Sequence, residues 1–162
     1  MLELACPLPD LERLRDVLHE GSDIGDARVA GEVRGELRPV KGGAAEVWLH
    51  LQAQVEVPMT CQRCLGPVRE VLEIDRAFRF VADEAAAAAL DEDLEDDVLV
   101  LSARFDVQEL LEDELLLALP LVPRHETCPQ PLPEVRDDLP EADEAAPHPF
   151  AALAGFKPRS GG

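Results

Sequence analysis

The sequence is poor in aromatic residues and contains no tyrosine. Aromatic residues supply only 4% of the 162 positions, although hydrophobic residues together reach 46%. A core with this composition must therefore be filled mainly by Leu, Val and Ala. The length suits one compact domain with residues to spare for a tail.

Long hydrophobic runs are also missing. No stretch approaches the roughly 20 apolar residues that a membrane span needs. The opening segment, MLELACPLPDLERLRD, lacks the basic and then apolar regions of a secretory signal. We therefore expect a cytoplasmic protein without a membrane partner, in which the four cysteines favour metal or thiol chemistry over disulfides.

Positive charge is scarce, since 34 acidic residues face 15 basic ones and the formal net charge is −19. Such a charge repels phosphate at long range and favours basic partners, ribosomal proteins among them. The most acidic stretch is 83–97. It is interpreted as a solvated loop with a short helix in its alanine run, or as an acidic arm for a basic partner.

Hydrophobic periodicity predicts an α+β domain over 1–128. Helical spacing indicates a short N-terminal helix at 10–20, capped by Asp10, and a longer helix at 107–119 that starts from the Asp-x-x-Glu of Asp106 and stops at Pro120. Alternating apolar residues predict strands, and a short apolar run adds another; these lie at 28–40, 46–58, 68–81 and 98–101. We expect a mainly antiparallel sheet, open or curled into a partial barrel, packed by the long helix.

The composition changes after residue 128. Proline, alanine and acidic residues dominate 129–162, which predicts a flexible acidic and Pro-rich C-terminal tail. Near its end, PHPFAALAGFK places Phe150, Leu153 and Phe156 on one face of a short helix. This segment either docks back onto the domain or is presented to another molecule.

Catalytic signatures are missing as well. The triplet Glu112-Asp113-Glu114 invites an interpretation as catalytic carboxylates, but no base, nucleophile or second ligand set accompanies it, so we expect a solvated helix face. No Gly-rich phosphate loop or nucleophile elbow occurs. We therefore expect neither an enzyme nor a small-molecule substrate.

Cys61-Gln62-Arg63-Cys64 lies between two predicted strands, as in a zinc knuckle. His125 and Cys128 repeat the same two-residue gap after the long helix, so the four side chains together form a Cys₃His set suited to Zn²⁺. Two alternatives stay open: a thiol redox pair, or two small corner residues with no metal. Cys6 is far away in sequence and is taken as unrelated.

The polar faces of the first two strands carry a second candidate site. Arg34, Arg38, Trp48 and His50 gather there, and they offer charge and a stacking surface to RNA. An ordinary solvated sheet face is the alternative.

Three segments resemble the bacterial YceD family: VPMTCQRCLGPV (57–68), FDVQELLEDELLLALPLVPRHETC (105–128) and PHPFAALAGFK (147–157). The resemblance carries over a set of motif positions, namely Cys61, Arg63, Cys64, Glu112, Asp113, Glu114, Pro120, Pro123, His125, Cys128, Pro149 and Phe150. Some branches of the family have a second cysteine pair after the helix, where this chain has only Cys128 with His125 nearby.

That resemblance implies a non-enzymatic factor that supports synthesis, processing or stability of 23S ribosomal RNA during assembly of the large subunit. Its expected partner is a large-subunit precursor, through 23S RNA, basic ribosomal proteins or both. Two finer hypotheses remain: direct RNA binding through the polar sheet face, and a zinc-stabilised adaptor that contacts proteins. The residues proposed to contact RNA or a partner are Arg34, Arg38, Trp48, His50, Arg63, Phe150 and Phe156.

Overall fold

The computed structural model describes residues 1–91 and 97–129, with the side chains of 1–90 and 97–129. The predicted tail, including Phe150 and Phe156, lies outside the described residues, as does part of the acidic stretch. These residues form five strands, β1 Leu2–Pro7, β2 Arg28–Arg38, β3 Glu46–Thr60, β4 Pro67–Val81 and β5 Asp97–Val100. The helices are a 3₁₀ turn at Leu8–Asp10, α1 Glu12–Arg15, α2 Glu84–Asp91 and α3 Val107–Leu117.

The strands form one sheet in the order β1-β2-β3-β4-β5. The first four are joined antiparallel, whereas β5 pairs parallel to β4 after a crossover that contains α2. The α+β prediction is confirmed. Within the described ranges the sheet is not closed, and β1 and β5 lie at its edges.

The core lies on one face of this sheet. Alternate residues of β3 and β4 point into it, as their sequence pattern predicted, and Leu51, Leu72 and Phe78 are almost fully buried. The N-terminal turn and α3 cover that face with Leu8, Leu11, Leu14, Leu110, Leu111 and Leu115. Leucine and valine thus fill most of a core that has few aromatic rings.

The N-terminal region differs from the prediction. Leu2–Pro7 forms β1, whose period-two pattern of Leu2, Leu4 and Cys6 is too short to stand out in the sequence. The predicted helix over 10–20 is wrong in extent, because Leu11 leaves helical geometry (φ −94°, ψ 87°) and only Glu12–Arg15 is α-helical. Asp10 is therefore not its N-cap.

A residue of α3 provides the missing cap of α1. Oε1 of Glu112 accepts hydrogen bonds from the backbone N–H groups of Arg13 and Leu14 at 2.8 and 3.1 Å. Those are the second and third N–H groups of α1, which a capping side chain normally satisfies. Nε of Arg13 donates to Oε2 of Glu112 at 3.0 Å, and its Nη1 reaches Asp113.

The prediction that Glu112-Asp113-Glu114 forms a solvated face is therefore wrong. Glu112 is 8% exposed, and its carboxylate accepts the hydrogen bonds from Arg13 and Leu14 just described. Glu114 turns the other way, where its Oε2 lies 3.5 Å from Nε of Arg76, and Arg76 also pairs with Asp97 of β5. Only Asp113 has the expected exposure, and its carboxylate pairs with Arg13.

The longer helix forms nearly as predicted. Oδ1 of Asp106 accepts from the backbone N–H groups of Gln108 and Glu109 at 2.8 and 3.3 Å, which confirms Asp106 as the N-cap. The helix ends at Leu117, two residues earlier than expected, and Pro120 follows. In the described part of the chain, no helix has the length and apolar character needed to cross a membrane.

Candidate metal centre

The segment between β3 and β4 is a tight knuckle of the backbone. The N–H of Cys61 donates to the carbonyl of Gly66 at 2.9 Å, and the N–H of Leu65 donates to the carbonyl of Cys61 at 2.8 Å. Leu65 has φ 60°, a left-handed conformation that is unfavourable for a residue with a side chain. The turn brings Cys61 and Cys64 to one side of the chain, as the predicted corner requires.

The loop that follows α3 is fixed against this knuckle. The N–H of Gln62 donates to the carbonyl of Pro123 at 2.9 Å, and Pro123 is buried. This bond joins the two halves of the Cys-x-x-Cys and His-x-x-Cys pattern, which the sequence places far apart.

Cys61, Cys64, His125 and Cys128 meet at this contact, as predicted. Their four ligand atoms all lie within 4.8 Å of one another. Sγ of Cys61 is 3.9 Å from Sγ of Cys128, and Sγ of Cys64 is 3.5 Å from Nδ1 of His125. A tetrahedral ion with bonds of about 2.0–2.3 Å needs ligand atoms about 3.5–3.8 Å apart. The donor set and its spacing therefore fit Zn²⁺.

A hydrogen bond sets which nitrogen of His125 faces the sulfur atoms. Nε2 of His125 lies 3.0 Å from the carbonyl oxygen of Pro67, so Nε2 carries the proton and donates it. In the neutral imidazole Nδ1 is then the unprotonated nitrogen, and it lies 3.5 Å from Sγ of Cys64. Metal-binding histidines typically have such a carbonyl partner on the distal nitrogen.

The cysteines differ in their electrostatic surroundings. Burial raises the pKa of Cys61, but backbone N–H groups of Cys64, His125 and Arg63 donate to its sulfur and lower the pKa to about 5. Burial raises the pKa of Cys128, as do its contacts with Cys64 and Cys61. A cation among the three sulfur atoms would stabilise all three as thiolates.

The other interpretations of Cys61 and Cys64 differ in the surroundings that they require. A low-pKa redox pair usually lies at a helix N-terminus, whereas this pair lies between two strands. Cys6 is separate from the cluster, and its Sγ lies 3.6 Å from the carbonyl of Pro7. The four-residue cluster is thus the arrangement with a clear chemical capacity, which is to bind a thiophilic metal ion.

The second candidate site, on the outer face of β2 and β3, has a different character. The guanidinium of Arg38 lies 4.1 Å from the ring centre of Trp48, and Nε1 of Trp48 donates to Glu46 at 2.9 Å. Trp48 is only 5% exposed. The prediction that its ring offers an open stacking surface is therefore wrong, because an arginine already covers the ring.

Glu36 is the acidic partner of several basic side chains on this face. Its Oε2 lies 2.8 Å from Nε2 of His50, 3.3 Å from Arg38 and 3.9 Å from Arg34. The hydrogen bond with His50, together with the charge of Arg38, lowers the pKa of Glu36 despite partial burial. The predicted polar face thus exists, but Arg34, Arg38 and His50 share one acidic partner, Glu36.

Some residues near the metal centre could not be singled out in advance. The carbonyls of Pro67 and Pro123 act through the backbone and leave no signal in the side-chain pattern. Arg124 precedes His125 and is exposed beside the cluster, and Arg63, which was predicted as a partner-binding residue, is exposed between the two knuckle cysteines.

Comparison with known proteins gives a consistent result. Residues 49–157 match the family model described as large ribosomal RNA subunit accumulation protein YceD. A relative of that name from Haemophilus influenzae is 38% identical over 109 residues, which are 65% of this chain and 63% of the relative. The matched region therefore spans less than two thirds of the relative's length. No solved structure matches.

Proposed function

This chain belongs to the family of large ribosomal RNA subunit accumulation proteins called YceD, and from that membership we propose that it supports accumulation of 23S ribosomal RNA. The observation that carries the proposal is the match over 49–157, which includes the knuckle, α3 and the second ligand pair. The region through which the family is recognised is thus also the region that forms the metal centre.

We propose that the centre holds Zn²⁺ as a structural ion. The chemistry of three sulfur donors and one imidazole supports this, as does the orientation of His125 by Pro67. Cys61 and Cys64 would hold the ion from the knuckle, and His125 and Cys128 from the loop after α3. Bound there, the ion would supply a crosslink between the two segments.

The proposed role is non-enzymatic. Four protein ligands fill a tetrahedral zinc site and leave no open position for a water or a substrate. The carboxylates with the closest resemblance to a catalytic pair, Glu112 and Glu114, are engaged with Arg13 and Arg76 in packing α3 against its neighbours. These ion pairs support a structural role for the two carboxylates and not a catalytic one.

The proposed partner is a precursor of the large ribosomal subunit in the cytoplasm. The relative's name refers to the RNA of that subunit, and a net charge of −19 is suited to meeting basic ribosomal proteins at the same particle. Contact with RNA and contact with protein both fit this location.

Complementation tests the proposal. In a bacterial strain without its own YceD homologue, the full chain should restore the ratio of 23S to 16S ribosomal RNA, and Cys64→Ser should restore it poorly at equal protein level. An unchanged ratio in the strain without the homologue would refute the proposed function.

A second experiment tests the non-enzymatic role. Zinc-loaded protein is incubated with precursor ribosomal RNA, and the RNA is examined for new ends. We expect intact RNA; cleavage that a ligand variant abolishes would overturn this part of the proposal.

A further inference from the structure

The surface around the candidate metal centre carries exposed positive charge. Most arginines of the described residues form ion pairs, as with Arg69 and Glu56 at 2.6 Å or Arg79 and Glu46 at 2.9 Å. Arg63 and Arg124 are exposed and form no ion pair with any described residue. Arg28 in β2 and Arg104 before α3 share this property, so what sets Arg63 and Arg124 apart is that they lie on adjacent backbone segments.

The backbone places these two arginines on adjacent segments. Arg63 follows Gln62 and Arg124 follows Pro123, and the N–H of Gln62 donates to the carbonyl of Pro123 at 2.9 Å. Two cationic side chains on adjacent segments make the local potential more positive. The arrangement favours an anionic ligand with more than one charged group, and guanidinium groups suit phosphate in particular.

Exposed aliphatic side chains lie on the same two segments. Leu65 is 70% exposed at the tip of the knuckle, and Leu121 and Val122 are exposed in the loop after α3. Leu65 also keeps its unfavourable φ of 60°, although a glycine there would accept the same backbone conformation without strain. A leucine that is both strained and exposed suggests that the side chain itself has a use.

We propose that this knuckle surface, made of Arg63, Leu65, Leu121, Val122 and Arg124, binds single-stranded ribosomal RNA. The two guanidinium groups contact consecutive phosphates, and the aliphatic side chains lie against an unstacked base. The inference rests on the proposed function and deepens it, because it assigns the RNA contact to the knuckle instead of the β2–β3 face.

Single-stranded RNA fits these observations better than a duplex or a protein. An unpaired segment can turn its bases out towards small apolar groups while its phosphates stay accessible, which an A-form duplex does not allow. A protein partner would need a surface that is acidic and apolar at once, whereas ribosomal RNA presents phosphate everywhere. Glu126, two positions after Arg124, is exposed and repels phosphate, so the proposed contact does not extend past Arg124 in that direction.

The first test measures binding of zinc-loaded full chain to fluorescent RNA by anisotropy at several salt concentrations. The probes are single-stranded oligonucleotides from the large-subunit RNA and the same sequences as duplexes. The double variant Arg63→Ala/Arg124→Ala should bind the single strands about tenfold or more weakly. The slope of log affinity against log salt should become shallower by about 1.4, because each lost phosphate contact on a single strand contributes about 0.7.

The matched control is Arg28→Ala/Arg104→Ala. Both of these arginines are exposed, form no ion pair with a described residue and lie outside the knuckle. The control removes the same charge from the chain, so its affinity should stay within about twofold of the parent if position decides binding. Equal losses in the two double variants would reduce the effect to net charge and overturn the proposal. Metal content is measured for every variant, since neither arginine of the knuckle is a ligand.

Leu65→Gly separates binding from folding. Glycine accepts φ 60° more readily than leucine, so the thermal midpoint should be equal or higher, while affinity for single-stranded RNA should fall with little change in salt slope. An unchanged affinity would remove the apolar contact from the proposal.

The outcomes also distinguish the surface from the function. If deletion of the homologue lowers 23S RNA but the knuckle variants bind RNA like the parent, the surface assignment is wrong and the function stands. If those variants bind RNA normally but no longer co-sediment with precursor particles, the surface contacts a protein instead. If deletion leaves 23S RNA unchanged, the proposed function is wrong whatever the affinities are.

Discussion

The two ends of β3 carry the two surfaces that the sequence offered as functional, and they differ in how far their polar groups are satisfied. At the Trp48 end, Arg38 covers the indole ring and Glu36 binds His50 and Arg38. At the Cys61 end, four side-chain atoms suited to a metal lie within 4.8 Å of one another, and two arginines on the same segments have no described partner. Similar residue types therefore differ in their capacity to bind a ligand, because a binding site needs polar groups that are not already paired within the protein.

Removing a metal ligand is the strongest way to test this difference. Cys64→Ser should abolish stoichiometric zinc binding and lower the free energy of unfolding by about 4 kcal/mol, since the link between the knuckle and the 121–128 loop is lost. Metal analysis and chemical denaturation measure the two effects. Cys6→Ser is the control and should keep the zinc. Full retention of zinc by Cys64→Ser would contradict the assigned centre.

Removing the buried carboxylate of Glu112 should have the next largest effect. In Glu112→Ala, two backbone N–H groups of α1 and the guanidinium of Arg13 lose their acceptor, which should cost about 3 kcal/mol of stability. Asp113→Ala removes only an exposed ion pair and should cost less than about 1 kcal/mol. Urea denaturation compares the two. Equal losses of stability in the two variants would show that Glu112 does not hold α1 in place as its hydrogen bonds indicate.

A substitution in the middle of the sheet should affect both ends of β3 alike. A Cβ at Gly31 would lie 2.1 Å from the carbonyl oxygen of Gln52, so Gly31→Ala should lower stability by about 3 kcal/mol through backbone displacement. At Gly35, on the same strand, a Cβ would meet nothing within 4 Å. Gly35→Ala should therefore be nearly neutral. Thermal unfolding of both variants decides whether the close approach of β2 and β3 is real.

The Arg38–Trp48 pair should contribute less. Arg38→Ala removes a partly exposed cation–π contact, worth about 1 kcal/mol, and uncovers the single tryptophan of the chain. Emission of Trp48 should shift to longer wavelength and become more sensitive to acrylamide, while zinc content stays unchanged. A loss of zinc in this variant would show that the two ends of β3 are coupled.

The smallest expected effect is on pH dependence. The hydrogen bond with His50 lowers the pKa of Glu36, so its ionised form stabilises the fold above the ordinary carboxyl pKa. That contribution is lost as the pH falls through the lowered pKa of the folded state. Glu36→Gln should remove this part of the acid sensitivity. An NMR titration that gave Glu36 an ordinary pKa would contradict the network.

The sequence was most informative where periodicity or chemistry is local. Alternation located β2, β3 and β4, and Asp106 marked the start of α3. The matched two-residue spacing and the donor chemistry of Cys61, Cys64, His125 and Cys128 were enough to propose one cluster, although the sequence does not show that β3 and α3 end close together. Residue chemistry thus predicted which four side chains would lie together.

The remaining features depend on contacts between distant segments, which periodicity does not encode. Glu112 looked like an exposed helix residue until α1 was found to rest on it. Trp48 follows the polar phase of β3, yet Arg38 on the neighbouring strand covers its ring. The helix at 10–20 was overestimated because spacing cannot show that Leu11 leaves helical geometry.

The ligands of the metal centre have a consequence for synthesis of the chain. Cys64 and His125 are 61 positions apart, and β4, α2, β5 and α3 all lie between them. On the ribosome, the first cysteine pair emerges long before its counterpart, and a nascent chain offers only half of the donors until those elements have left the exit tunnel. An ion would then be bound by all four donors only after the domain has been completed, and a chain whose synthesis stops earlier would not retain the ion.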